Sequence, residues 1–154
     1  MQLPERDRQA TAARLRRRVP RSYEADAPPA VAAARAGIVA LLQGERVDLG
    51  DVVLDLRAVT SFEASVYTVA RSIPPGETLT YGQVAARVGS ADQARAVGQA
   101  MGHNPCPLVV PCHRVLAAHG ALGGFSAHGG TVTKRRLLYI EGALDHEPLT
   151  LFDP

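Results

Sequence analysis

The chain has 154 residues, a formal charge of +2 at neutral pH and 46% hydrophobic residues. This length suits one domain with a small appendage, and no apolar run reaches the roughly 20 residues that a membrane helix needs. The mild positive charge allows a nucleic-acid partner without requiring one, because basic residues must cluster before they indicate such a surface.

The first half of the chain is rich in arginine and alanine. Residues 11–20 predict a short basic helix whose arginines face solvent, with phosphate contact as the less favoured interpretation. Residues 29–45 predict an amphipathic helix that closes near Gly44. Residues 47–56 alternate between apolar and polar side chains, which predicts a strand or an extended arm.

A capping box opens the second half. Thr60 precedes Glu63 by three residues, a pattern typical of a helix N-terminus, and apolar residues continue at helical spacing as far as Ile73. The stretch PPG then ends the predicted helix.

Two further capping patterns follow in tandem. Thr80 with Gln83 predicts a short helix ending at Gly89, and Ser90 with Gln93 predicts a second one. Two short helices joined by a Gly-Ser turn are the outline of a helix-turn-helix, although many helical hairpins share this pattern and bind no nucleic acid.

The second of these helices has unusually small side chains. Arg95 is the one long basic side chain among them. Close helix packing explains such a surface, and so does entry into the minor groove, which is only about 6 Å wide. The small residues are Ala91, Ala94, Ala96, Gly98, Ala100 and Gly102.

The cysteines raise questions of redox state and of reactivity. Cys106 and Cys112 lie too close along one apolar segment for good disulfide geometry, and no signal peptide is visible, so we expect a reducing, cytoplasmic compartment. Cys112 taken alone is more often a buried inert thiol than a nucleophile, because an ordinary thiol ionises only weakly at neutral pH.

A base and an orienting group would activate that thiol. His113 is adjacent to it, but neighbouring side chains on an extended strand point to opposite faces, so a bridging water or a bend at Pro111 would be needed. Glu141 and Asp145 are candidate partners for the histidine. Glu141 is the better placed, because a carboxylate at a helix C-terminus faces an unfavourable dipole unless it has a partner.

Four stretches of the chain resemble the O6-alkylguanine-DNA alkyltransferases. Residues 104–115, NPCPLVVPCHRV, are similar to the long active-site motif of that family. The flanking stretches PPGETLTYGQVA, ARAVGQAMGHNP and GGFSAHGGTVTKRRLLYIEGA are similar to its helix-turn-helix approach, recognition helix and substrate loop with last helix. The resemblance covers about residues 62–143, roughly half of the chain.

The resemblance implies an α/β (α+β) fold and a domain plan. A mainly helical, winged helix-turn-helix-like catalytic domain is expected over residues 59–146, with an N-terminal α/β subdomain over 1–58 and a tail over 147–154. The chain begins later than family members do, so we expect either that the start site lies upstream or that the N-terminal subdomain lacks its first strands.

The resemblance also implies catalytic roles. Cys112 is expected to accept the alkyl group, with His113 as its water-bridged base and Glu141 orienting the histidine. Asn104 is expected to tighten the preceding turn and to hydrogen-bond within the site. Tyr81 is expected to pack at the flipped nucleotide and its phosphate and to protonate the departing guanine.

Further residues are expected to hold the substrate. Arg95 would fill the gap that a flipped base leaves in the duplex. The expected DNA contacts are Ala94, Arg95, Tyr81 and Arg114, and the expected substrate contacts are Val115, Phe125 and Ser126.

The implied reaction is direct, irreversible and single-turnover. The alkyl group would pass from O6-alkylguanine in double-stranded DNA, with O4-alkylthymine as a further candidate, to form a stable thioether on a monomeric protein. The family resemblance implies binding through the minor groove, with no metal and no cofactor.

The alternatives are a non-catalytic lesion-binding relative, a helix-turn-helix regulator and a cysteine hydrolase. The retained Cys112 disfavours the first, and the lack of a regulatory module disfavours the second. Nothing in the sequence indicates the oxyanion hole that the third requires.

Overall fold

The computed structural model describes residues 1–145, so the predicted tail lies outside the described residues. Its elements in chain order are α1 (Arg8–Arg18), α2 (Pro29–Leu42), α3 (Ser61–Arg71), β1 (Leu79–Thr80), α4 (Tyr81–Arg87), α5 (Ala94–Gly102), β2 (Val115–Leu116) and α6 (Thr131–Ile140). This mostly helical architecture with a small sheet confirms the predicted α+β class. Within residues 1–145, no helix combines the length and apolarity that crossing a bilayer requires.

Two capping boxes fix the starts of α3 and α4. The hydroxyl of Thr60 accepts from the backbone N–H of Glu63, whose carboxylate accepts from Thr60 in return. Thr80 and Gln83 make the same reciprocal pair. Both predicted helix starts are confirmed, and each box satisfies donors that a helix N-terminus leaves unpaired.

The third predicted capping box is wrong. Helix α5 begins at Ala94, and its N-cap residue Gln93 makes no side-chain capping bond. The N–H of Gln93 donates instead to the backbone carbonyl of Ser90 at 2.8 Å, which closes a turn between α4 and α5. The segment predicted as the first helical turn therefore forms the connection of the helix-turn-helix.

The strand predicted over residues 47–56 is also absent from the described structure. The Asp48 carboxylate accepts from the N–H of Gly50, which forms a turn in the middle of the segment. The guanidinium of Arg71 on α3 then donates to the carbonyls of Gly50 and Val52. These carbonyls are not available to a neighbouring strand, so the alternating apolar residues pack as an irregular arm.

The two strands bring the helix-turn-helix to the cysteine segment. They pair in parallel, with Leu79 opposite Val115 and Thr80 opposite Leu116. Because α4 starts directly after β1 and Cys112 lies just before β2, this short ladder sets Tyr81 close to the cysteine.

Two apolar clusters enclose that segment. The first joins α3, α4 and α5, and the Tyr67 hydroxyl donates to the Ala100 carbonyl at 2.8 Å across it. The second joins the N-terminal part of the chain to residues 108–109 and α6. Packing on both sides holds the cysteine segment rigidly, because close-packed interiors resist displacement. The buried members of the second cluster are Leu3, Leu41, Leu49, Leu108, Val109 and Leu137.

Candidate active site

Cys112 lies on a turn and not on the extended strand expected from the sequence. Residues Cys112–Arg114 form one 3₁₀ turn, and the strand begins only at Val115. Leu108 has a φ of 72°, a left-handed conformation that costs a non-glycine residue roughly 1 kcal/mol. The expectation that Cys112 lies on an extended strand is therefore wrong, because these turns interrupt the extended backbone.

Asn104 holds the strained turn from inside. Its Oδ1 accepts from the N–H of Cys106 at 2.9 Å, and its Nδ2 donates to the carbonyl of Val110 at 2.8 Å. The side chain is buried, and its amide beside Cys112 lowers the pKa of that thiol. One amide thus shapes the loop and favours the thiolate.

A buried charge network lies behind the cysteine. Nε2 of His113 is 2.9 Å from Oε1 of Glu141, and Nε and Nη2 of Arg114 each donate to the same carboxylate at 2.8 Å. The His113 side chain is fully buried and that of Glu141 is only 1% exposed. Burial alone raises the pKa of Glu141, but hydrogen bonds from Arg114 and His113 outweigh it and hold that pKa at about 2.

These contacts define the state of the histidine. Burial lowers the pKa of His113 from 6.5 more than Glu141 raises it, so the ring is neutral at pH 7. A neutral ring beside a carboxylate carries its proton on Nε2, which leaves a lone pair on Nδ1. Nδ1 is buried and has no hydrogen-bond partner among the described residues. The ring is thus prepared to accept one proton.

Lys134 is a site residue that the sequence reasoning missed. It is fully buried on α6, where Nζ donates to the carbonyl of Val115 at 2.6 Å and lies 5.7 Å from the centre of the Tyr81 ring. The spacing of residues along α6 could have predicted its burial, because Lys134 shares one face of the helix with Leu137 and Leu138.

The lysine and the cysteine are electrostatically coupled. Burial raises the pKa of the Cys112 thiol, while Asn104 and the charge of Lys134 oppose this. Burial likewise lowers the pKa of Lys134 to about 8. At pH 7 the resting cysteine is therefore a protonated thiol, and Lys134 is a cation that stabilises the thiolate once it forms.

Tyr81 forms one wall beside the cysteine. Burial, and then the proximity of Cys112, raise the pKa of its phenol, so Tyr81 keeps its proton at neutral pH. Gly123 has a φ of 65°, and a Cβ there would lie 3.4 Å from the tyrosine ring. That contact is an ordinary one, so it is the left-handed backbone that favours glycine at this position.

Two cavities meet at Cys112. The α5 cavity, of about 520 Å³, is lined by Tyr81, Ala94, Arg95, Gly98, Met101, Gly102, Cys112, Gly124, Phe125 and Ser126. The N-terminal cavity, of about 420 Å³, shares Gly102, Cys112, Phe125 and Ser126 with it and extends towards α1. Both volumes lie within the range of ligand pockets, about 300–1,000 Å³.

Two predicted contacts differ from expectation. Arg114 is only 4% exposed, and its guanidinium is bonded to Glu141 and to the carbonyl of Ile73. The prediction that Arg114 contacts DNA is not supported by this geometry, because it holds a buried structural charge pair. The backbone of Val115 is also engaged, since its N–H donates to the Cys112 carbonyl and its own carbonyl accepts from Lys134.

The remaining predicted residues are open to solvent or border the cavities. Arg95 and Ser126 are exposed, while Ala94 and Phe125 are partly buried. The structure therefore brings most of the predicted site residues around Cys112, while Arg114 and Val115, predicted to contact DNA and substrate, lie in the interior.

The fold and the site define a class: a helix-turn-helix protein built around one buried cysteine. Residues 61–143 match the family model described as 6-O-methylguanine DNA methyltransferase, DNA binding domain. This match covers more than half of the chain, and the chain belongs to that family.

Similar proteins agree with this assignment. The chain is 48% identical over 103 residues to the methylated-DNA–protein-cysteine methyltransferase of Mycobacterium tuberculosis (strain H37Rv), covering 67% of this chain and 61% of that relative. Mycobacterium tuberculosis OGT in complex with DNA matches with a TM-score of 0.66 at 43% identity, over 73% of this chain and 68% of that one. The O6-methylguanine-DNA methyltransferase of Pyrococcus kodakaraensis matches with a TM-score of 0.69 at 31% identity, over 88% and 81%.

Proposed function

We propose that this chain repairs DNA by transferring the alkyl group of O6-alkylguanine to the sulfur of Cys112. The observation that carries the proposal is the contact between neutral His113 and the Glu141 carboxylate, directly behind a buried thiol. The names of the similar proteins, methylated-DNA–protein-cysteine methyltransferases, support the same chemistry.

The transfer begins with removal of the thiol proton. Nδ1 of His113 takes it through one bridging water, and Glu141 stabilises the imidazolium that forms. The charge of Lys134 and the amide of Asn104 favour the thiolate. The thiolate attacks the alkyl carbon, and the bond from that carbon to O6 breaks.

The electron pair of the broken bond stays on the guanine. The protonated phenol of Tyr81 is the candidate acid that neutralises it. A thioether on cysteine is stable, so each chain reacts once, without a metal or an organic cofactor. Phe125 and Ser126, which line the cavity at Cys112, would position the base.

DNA is the proposed partner, approached through its minor groove by α5. The target atom lies inside the duplex, so the nucleotide must leave the stack before it reaches Cys112. Arg95 is exposed at the cavity that contains Cys112 and would occupy the space left behind, while Ala94 and Gly98 allow close approach. A monomer in the cytoplasm suffices for this chemistry.

A stoichiometry experiment tests the proposal. Excess duplex carrying labelled O6-methylguanine is incubated with the protein, and the methyl groups on the protein are counted. We expect one methyl group per chain, none in Cys112→Ser and full transfer in the matched control Cys106→Ser. Binding of the lesion without any transfer would favour a non-catalytic lesion-binding protein instead.

A further inference from the structure

The N-terminal cavity is far larger than a methyl group requires. Its volume is about 420 Å³, whereas a water molecule, of similar size to a methyl group, takes up about 30 Å³ of liquid. Cys112, whose sulfur would carry the transferred group, is one of the residues that line this cavity. Pro107 and Phe125 line it with apolar side chains. A longer substituent on O6 therefore has space beyond the sulfur.

Two arginines of α1 give this cavity a positive wall. Arg14 and Arg18 both line it, and none of its lining residues in the described part of the chain is acidic. Nη1 of Arg14 is 2.7 Å from the Glu5 carboxylate, and its Nη2 donates to the carbonyl of Ser126 at 3.2 Å. Among residues 1–145, Arg18 donates only to the carbonyl of Met1, at 3.4 Å, and no carboxylate pairs with it.

The side chain of Arg14 is also held in position. It is fixed at two of its nitrogens and remains 45% exposed. A cation held in place loses little conformational entropy when it binds an anion, and a guanidinium matches the planar geometry of a carboxylate. The cavity is thus suited to a negatively charged group.

We propose that Arg14 and Arg18 select O6 substituents that end in a carboxylate, such as the carboxymethyl group. This inference rests on the proposed alkyl transfer and adds a substrate class to it. The new S–C bond forms at the methylene carbon as its bond to O6 breaks, and the electron pair remains on the guanine. The guanine left in the DNA takes its proton from Tyr81, the thiol proton passes to His113 and returns to the phenol through solvent, and the carboxylate takes no part in the bond changes.

The alternative anion is a DNA phosphate at the mouth of the cavity. The geometry favours the substituent, because the arginines and Cys112 line one continuous cavity and Arg14 bonds the carbonyl of Ser126. A phosphate contact would act on every DNA substrate alike. A carboxylate contact would act only on acidic substituents, and this difference separates the two interpretations.

A matched pair of substrates provides the test. Transfer rates are measured with the full chain on duplexes carrying O6-carboxymethylguanine and O6-carbamoylmethylguanine, which differ in charge and hardly in shape, with O6-methylguanine as reference. The variants are Arg14→Gln and Arg18→Gln. The control is Arg17→Gln, which removes a charge from an exposed position on α1 outside the cavity.

We expect the ratio of carboxymethyl to carbamoylmethyl rates to fall about fivefold or more in Arg14→Gln and Arg18→Gln, and to stay at the wild-type value in Arg17→Gln. Because the ratio is taken within one protein sample, partial unfolding of a variant cancels.

An unchanged ratio in both cavity variants, with methyl transfer intact in the wild type, would overturn this inference alone. Equal losses on all three substrates would assign the arginines to phosphate and overturn it too. Absence of transfer from every substrate by the wild type would overturn the proposed function as well.

Discussion

Glu141 and His113 are 28 residues apart in sequence, and their side chains meet at 2.9 Å in the interior. The contact closes the end of α6 onto the cysteine turn, and Arg114 bonds the same carboxylate from the next position along the chain. Because all three groups are buried, they depend on one another: removal of Glu141 or Arg114 leaves the other as an uncompensated charge, whereas removal of neutral His113 takes one hydrogen bond from the carboxylate.

Acid should destabilise the protein through this network. The pKa of Glu141 is about 2 in the folded chain against 4.5 for a free side chain, so its stabilisation is complete above pH 4.5 and is lost as pH falls towards 2. The lowered pKa of His113 acts in the same direction below pH 6.5, because the unfolded chain takes up the proton more readily. Chemical denaturation at a series of pH values should therefore show the free energy of unfolding decreasing below pH 6.5 and more steeply below 4.5.

Glu141→Gln is the control for that titration. It should cost about 3 kcal/mol at pH 7, because Arg114 stays buried without its counter-ion, and it should flatten the curve between pH 4.5 and 2. A variant that retains the wild-type slope in that range would show that another carboxylate is responsible.

Lys134 should support transfer through its charge. Lys134→Met keeps the length of the side chain but removes the cation beside the developing thiolate, so the transfer rate at pH 7 should fall roughly tenfold. The rising limb of the rate against pH should move to higher pH, because the pKa of Cys112 rises. Arg135→Gln, which changes an exposed neighbour on α6, serves as the control. A slower rate with an unmoved pH profile would assign Lys134 a packing role only.

Arg95 should matter for duplex DNA and not for the chemical step. Arg95→Ala should slow transfer from a duplex at least tenfold, since the gap left by the flipped base is then unfilled. Transfer from the free base O6-methylguanine should change less than twofold. Arg35→Ala removes an equal charge from exposed α2 and should spare both reactions. Equal losses on duplex and free base would contradict the proposed role.

The small side chains of α5 should serve DNA binding more than packing. A Cβ added at Gly98 would meet only the Tyr81 ring, at an ordinary 4.0 Å. Gly98→Ala should therefore raise the free energy of unfolding by about 0.5–1 kcal/mol, because alanine favours the helix. Affinity for duplex DNA should fall at the same time. A destabilised Gly98→Ala protein would show that close packing requires the glycine.

The sequence predicted those features that depend on local or repeated patterns. The capping boxes at Thr60 and Thr80 were correct because each is complete within four residues. The box at Ser90 failed because a backbone turn uses the same N–H. The strand offered for residues 47–56 did not form because a distant side chain, Arg71, bonds two of the carbonyls in that segment.

The site itself could be predicted in part. The motif around Cys112 and the position of Glu141 identified residues that the structure brings together. The burial of Arg114 and Lys134 was not predicted, because composition treats arginine and lysine as surface residues. Only the folded chain shows that a carboxylate and a carbonyl satisfy their donors there.

Peptide mapping by mass spectrometry tests the central claim most directly. The protein is incubated with duplex DNA carrying O6-methylguanine under reducing conditions, digested and analysed for methylated peptides. We predict one methyl group on the peptide that contains Cys112 and none on the separated peptide that contains Cys106. A protein that binds the lesion yet leaves Cys112 unmodified, or that carries the methyl group elsewhere, would contradict the account.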